Sequence, residues 1–187
     1  MASSLCLLIA KELRKENAAE LSTHCLLCYL GDMAMLSYDA SLAEYYLNDH
    51  FLYAHVDKIQ RTIGTNSAVI GKVLAQQWQL PNSIVEAIDK SLLLSSGKGI
   101  PDDISYDALQ DILICYVACR IGDKVAFYGY TDIAQMGRLG IEHSAGLDFH
   151  YFQENISHAR LDKLNTLFAD DNFIRKANAL IAQVSSQ

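Results

Sequence analysis

Apolar residues recur every three to four positions along almost the whole chain, and no stretch alternates apolar and polar residues over a strand's length. That periodicity predicts an all-α protein. Leu5, Leu8, Ile9 and Leu13 share one stripe of a helix over about 4–15, with Lys11, Arg14 and Lys15 largely outside it. A second helix is expected over about 18–36, presenting Leu21, Leu26, Leu27 and Leu30, with Gly31 marking a place where small size matters. Shorter helices over 41–47 and 54–63 flank the turn-prone Asn48-Asp49-His50.

Punctuation refines the pattern. Gly64 is placed to cap the helix before it in the left-handed conformation, and Thr65-Asn66-Ser67 offers N-cap groups to a helix ending near Trp78. Leu80-Pro81 then forms a corner, and Asn82 or Ser83 starts a helix through Ile88. The segment SSGKGIPDD, residues 95–103, is the clearest linker and separates two halves of what reads as one domain over 1–187. Beyond it, Ser105 or Asp107 caps a helix over 106–128, whose run DILICYVACRIGDKVAFY is apolar enough for a central core helix. Further helices are expected over 132–139, 149–162 and 171–184, and the long helix is expected to pack back on the first half.

A length of 187 residues, 51% hydrophobic and 20% charged, suits one soluble globular domain with a substantial core. The apolar runs are too short to span a bilayer, and no basic segment precedes Leu5 as a secretory signal requires, so a cytoplasmic protein without membrane contact is expected. A net charge of −7 argues against nucleic acid as a partner; the small basic group Lys11, Arg14 and Lys15 reads as a solvated helix face.

Candidate chemistry is sparse. The five cysteines form an odd set suited to reduced thiols. Cys25 and Cys28 have CxxC spacing and Cys115 and Cys119 lie i, i+4, so a four-thiolate zinc site is conceivable, but Leu26-Leu27 between the first pair favours core packing. Cys25 beside His24 is no nucleophile and base pair, because helical neighbours point about 100° apart. Gly97-Lys98-Gly99 lacks the spacing of a phosphate loop. His24 stands about two turns before Asp32, and His50 and His55 lie near a turn, but no triplet of histidines has a recognised ligand spacing. His143, His150 and His158 are scattered through the last third, where exposed or hydrogen-bonded roles are the default.

The stretch IGTNSAVIGKVLAQQWQLPNSIVEAIDKS, residues 63–91, resembles the HDOD domain, a bacterial signalling relative of the HD metal-dependent phosphohydrolases. Its Ile63, Gly64, Gly71, Leu74, Ala75, Trp78, Leu80, Pro81, Ile84, Ala87 and Ile88 fall into the family's register without a gap, while Ser67 and Ser91 stand at its histidine positions. Upstream, AELSTHCLLCYLGDMAML is similar to the helix carrying the family's Leu-His-Asp-Ile, with Gly31 in place of His and Asp32 kept. In SSLCLLIAKEL, Ser3 stands where an active HD protein has its first metal-ligand histidine.

The resemblance implies an HD-like helical bundle in which Ser3, Gly31, Asp32, Ser67 and Ser91 mark a vestigial site. No catalytic residue, metal or other cofactor is expected, since one carboxylate does not replace a set of imidazoles around a cation. It further implies a regulatory module of bacterial signal transduction that acts by protein contacts, the alternative being a divergent phosphohydrolase of a nucleotide or cyclic dinucleotide. Because the family usually carries helices before the segment matching residue 3, the face near the first two helices is expected to meet a partner or a second copy, unless the chain's own C-terminal helices cover it.

Overall fold

The helical spacing of apolar residues is realised throughout the computed structural model, which describes residues 1–48, 52–95, 100–136 and 155–185. The helices are α1 (Ala2–Glu12), α2 (Ala18–Leu27), α3 (Leu30–Tyr38), α4 (Ala43–Asn48), α5 (Leu52–Ile63), α6 (Ser67–Gln77), α7 (Asn82–Asp89), α8 (Tyr106–Tyr128), α9 (Lys163–Leu167) and α10 (Asp171–Ser185). Short 3-10 turns occupy Ala40–Leu42, Leu93–Ser95 and Ile133–Met136, and no strand occurs among the described residues. No described helix is long and apolar enough to cross a membrane.

α8 is the organising element. Ser105 Oγ accepts the Ala108 N–H at 3.2 Å at its start, and Gly129, at φ 65°, ends it in the left-handed conformation. Contacts between α2 and α8 repeat at a constant separation of 94 residues: Asn17 with Asp111, Cys115 with the Leu21 carbonyl, Cys25 with Cys119, and Tyr29 with Asp123. Steps of four on both helices, rising together, mean that the two run parallel and face one another along a single stripe. α1 crosses α8 closely, and a Cβ on Gly122 would come within 2.9 Å of the Ala2 Cβ.

Leu5, Ile9, Leu21, Leu113, Val117 and Phe173, drawn from both halves of the sequence, are buried in one core. Smaller clusters form where Leu30 meets Val85 and Ile88, and where Met35 meets Leu42, Tyr46 and Ile59.

The helix expected over 18–36 is two helices. The break at Cys28 and Tyr29 turns the Tyr29 hydroxyl toward α8, where it donates to Asp123 Oδ1 at 2.9 Å, a tertiary contact that periodicity does not reveal. The first helix ends at Glu12 rather than near residue 15, because Arg14 adopts φ 58°. Gly64 takes φ 76°, and Asn66 Oδ1 accepts the Val69 N–H at 3.1 Å, so both expected caps form.

The face of α1 is not left open. Leu5, Cys6, Ile9 and Ala10 are fully buried in the core shared with α8 and with Phe173, Ala177 and Ile181 of α10, and Lys176 Nζ reaches Glu12 Oε1 at 2.6 Å. The chain's own C-terminal helix thus covers this face of α1, while on α2 Leu26 stays 57% exposed. Of the helix expected over 132–139, the described part is the 3-10 turn, and of that over 149–162, residues 155–158 are helical. α9 was not anticipated. Asp49, His50, Gly97-Lys98-Gly99, His143 and His150 lie outside the described residues.

Candidate functional site

The parallel stripe between α2 and α8 opens on one side into a cavity of about 530 Å³, closed by α3, the end of α4, the start of α6, and α7. Three of the five positions singled out by the sequence, Asp32, Ser67 and Ser91, line it. The other two do not. Ser3 faces α2, with its Oγ 2.8 Å from Ser22 Oγ and its carbonyl accepting the Ser22 hydroxyl at 2.9 Å.

Gly31 is sealed between helices. A Cβ there would run into the backbone carbonyl of Ser67, at a separation no real Cβ shows, and would lie 2.9 Å from the Gly71 nitrogen. Gly71 reciprocates: its own Cβ would meet Ile88 Cγ2 at 2.9 Å and the Gly31 nitrogen at 3.1 Å. α3 and α6 therefore cross glycine on glycine, with backbones closer than any side chain permits. An imidazole at position 31 has no room.

Asp32 projects from the first turn of α3 into the inner end of the cavity. Tyr46 donates its hydroxyl to Asp32 Oδ1 at 2.6 Å, and the Ser67 hydroxyl is a second partner. Burial raises the Asp32 carboxyl above its ordinary value, against the opposing pull of the Tyr46 hydrogen bond. Burial likewise pushes Tyr46 upward, so its hydroxyl stays a donor. Ser91 is spent locally, its Oγ donating to the Ile88 carbonyl at 2.7 Å.

Residues that the sequence reading passed over complete the inner end. Arg120 and Asp123 form an ion pair at 2.7 Å, with side chains 11% and 17% exposed. The Arg120 guanidinium also lies 5.6 Å from the centre of the Tyr116 ring, and its Nε is buried with no hydrogen-bond partner among the described residues. Desolvation works against the guanidinium charge, but Asp123 beside it more than compensates and raises Arg120 above its ordinary value. Two charges three residues apart inside the apolar run of α8 were the available signal, since burial of such groups demands a partner.

His24 and His55 line the same cavity. His24 Nε2 lies 3.4 Å from Glu20 Oε1 of its own helix, and His55 packs its ring on Tyr46 at 4.7 Å between centroids. His158 is exposed and tilts against Tyr106.

A divalent cation of the kind that active HD proteins hold does not fit these residues. Asp32 is the sole charged group among the five expected positions, it is engaged by two hydroxyls, and no three His, Cys, Asp or Glu side chains among the described residues converge on a metal-sized point.

The thiols follow core packing rather than a metal cage. Cys6 meets Cys115 at 4.0 Å and Cys25 meets Cys119 at 3.2 Å, while Cys28, the other half of the CxxC pair, turns to the Ala87 carbonyl at 3.8 Å. They line the helix seam instead of surrounding a point. Burial pushes the Cys28 thiol up, and hydrogen bonding to Cys119 does the same for Cys25.

The family model described as HDOD domain covers residues 1–91, which hold α1 through α7 and all five expected positions. No curated protein and no solved structure matches the chain.

Proposed function

From the match of residues 1–91 to the HDOD domain model, we propose that the chain, as one unit over 1–187, is a non-catalytic regulatory module acting through protein contacts in bacterial signal transduction. The observation that carries this reading is the seal at Gly31. A position where the family's active relatives need an imidazole is closed by the Ser67 backbone, and the neighbouring carboxylate, already accepting the Tyr46 hydroxyl at 2.6 Å, has no imidazoles beside it among the described residues with which to share a metal ion. The scaffold keeps its helix crossings while the ligand set is gone.

Surfaces for contact lie away from α1. Val69 and Val73, one turn apart on the outer side of α6, are 49% and 46% exposed, and Trp78 at its end is 59% exposed. Aromatic and aliphatic groups presented this way are the usual anchors of protein interfaces. The alternative, a divergent metal-dependent phosphohydrolase, draws on Asp32 and Asp123 lining one cavity.

Elemental analysis of the purified chain, paired with hydrolysis of a generic phosphodiester, separates the two. The regulatory reading expects substoichiometric manganese, iron and zinc and no hydrolysis above background. A stoichiometric metal together with turnover lost in Asp32→Ala sinks it.

A further inference from the structure

Three features meet at the inner end of the cavity. The first is charge. Asp123 is matched by Arg120 at 2.7 Å, whereas the hydrogen-bond partners of Asp32 among the described residues are the uncharged hydroxyls of Tyr46 and Ser67, with Arg120 acting on it only at a distance. The second is the state of the donors. The Tyr46 and Tyr29 hydroxyls already donate to Asp32 and Asp123, so the unused capacity at Asp32 is acceptor capacity, an ionised carboxylate offering about four lone-pair sites. The third is the wall, to which Tyr29, Tyr46, Tyr116 and Phe127 contribute rings. A volume of about 530 Å³ lies within the range of small-molecule sites.

The geometry points to a binding site for a small organic cation, an ammonium or amidinium group on an apolar body, which donates to Asp32 and lies against the faces of Tyr46 and Phe127. Such a group supplies what the inner end lacks, an opposite charge for Asp32 with N–H donors, and aromatic faces attract cations electrostatically. An anion is disfavoured: it would approach two carboxylates, and Arg120 is already committed to Asp123. At the other end of the cavity Lys90 lies 3.4 Å from Glu86, and Lys15 pairs with Asp111 at 2.8 Å, so neither supplies an uncompensated positive charge.

Calorimetric titration of the full chain with benzamidine and phenethylamine, against benzamide and benzoate, tests the assignment. At least one of the two cations is expected to bind one-to-one with Kd of about 1 mM or tighter, and both controls about tenfold more weakly. Asp32→Asn, folded by circular dichroism, is expected to lose about tenfold in cation affinity. Phe127→Leu, at a position 43% exposed where the fold tolerates change, is expected to lose about threefold. Should Asp32→Asn not fold, Phe127→Leu decides the matter. The assignment is overturned if neither cation saturates, if benzoate or benzamide binds as tightly, or if the folded variants bind like the parent. These readouts are independent of metal content and of hydrolysis, so the assignment and the regulatory reading fail separately.

Discussion

Gly31 and Ser67 stand backbone to backbone: a single Cβ on Gly31 would overlap the Ser67 carbonyl oxygen and its carbon. The obstacle is main chain at the start of α6, which cannot rotate away as a side chain can. Gly31→Ala therefore forces α3 and α6 apart and disturbs the packing of Leu30 on Val85 and Ile88. A loss of about 3 kcal/mol or more is expected in urea unfolding, at the upper end of overpacking costs. Gly31→His is expected to lose at least as much and to gain no metal. A Gly31→Ala variant within about 0.5 kcal/mol of the parent would refute the close crossing.

Asp32 carries a cost at neutral pH. Its carboxyl is raised in the folded state above the ordinary value of 3.8, so the native state favours the proton more than the unfolded chain does. Its contribution to stability is thus most favourable below that ordinary value and is lost as pH rises through the folded value. Asp32→Asn keeps the shape and an acceptor for Tyr46 while removing the charge. At pH 7 the variant is expected to be more stable by about 1 kcal/mol, a rise in Tm of about 2–4 °C. Melting curves in series toward pH 4 should show the difference shrinking. A variant less stable at every pH would mean that the ionised carboxylate is a stabilising partner.

What the sequence revealed and what it hid divide along a physical line. Caps and helix periods depend on neighbours within about four residues, and Gly64, Asn66 and Ser105 do as their local chemistry requires. The break at Cys28 and Tyr29 was hidden because the contact made there, the Tyr29 hydroxyl on Asp123, lies 94 residues away in the chain. The cavity was legible only in part: Asp32 and Ser67 carried a family signal, the two charges of Arg120 and Asp123 inside an apolar run carried a weaker one, and Tyr46 carried none. Whether a partner or the chain's own C-terminal helices cover α1 stayed open in the sequence, because an apolar stripe does not name the stripe it packs against.

The thiol row tests the packing of α2 on α8. Cys6 and Cys25 are fully buried, and Cys25 lies between Cys119 and the Cys115 carbonyl. Replacing Cys25 by Ser puts a hydroxyl among sulfurs that are poor partners, at a cost of about 1–3 kcal/mol, whereas Ala costs less because it leaves no polar group unsatisfied. Titration with an aromatic disulfide reagent is expected to label Cys6 and Cys25 only at the rate of global unfolding. Rapid labelling of either by peptide mapping would show that the seam opens in the native state.

Arg120 and Asp123 make the sharpest test of the inner cavity. The pair is 2.7 Å apart with both side chains largely out of water, so its Coulombic attraction sits against a large desolvation cost. Removing one member leaves the other charge uncompensated. Asp123→Asn and Arg120→Met are each expected to destabilise by about 3–5 kcal/mol. Asp123→Asn also strips Tyr29 of its charged acceptor at the start of α3. The double variant Arg120→Met, Asp123→Asn leaves no charge stranded and is expected to cost less than either single change, a non-additivity that a double-mutant cycle reads directly. If the single losses simply add, each side chain acts alone and the pair is not the support of the cavity wall.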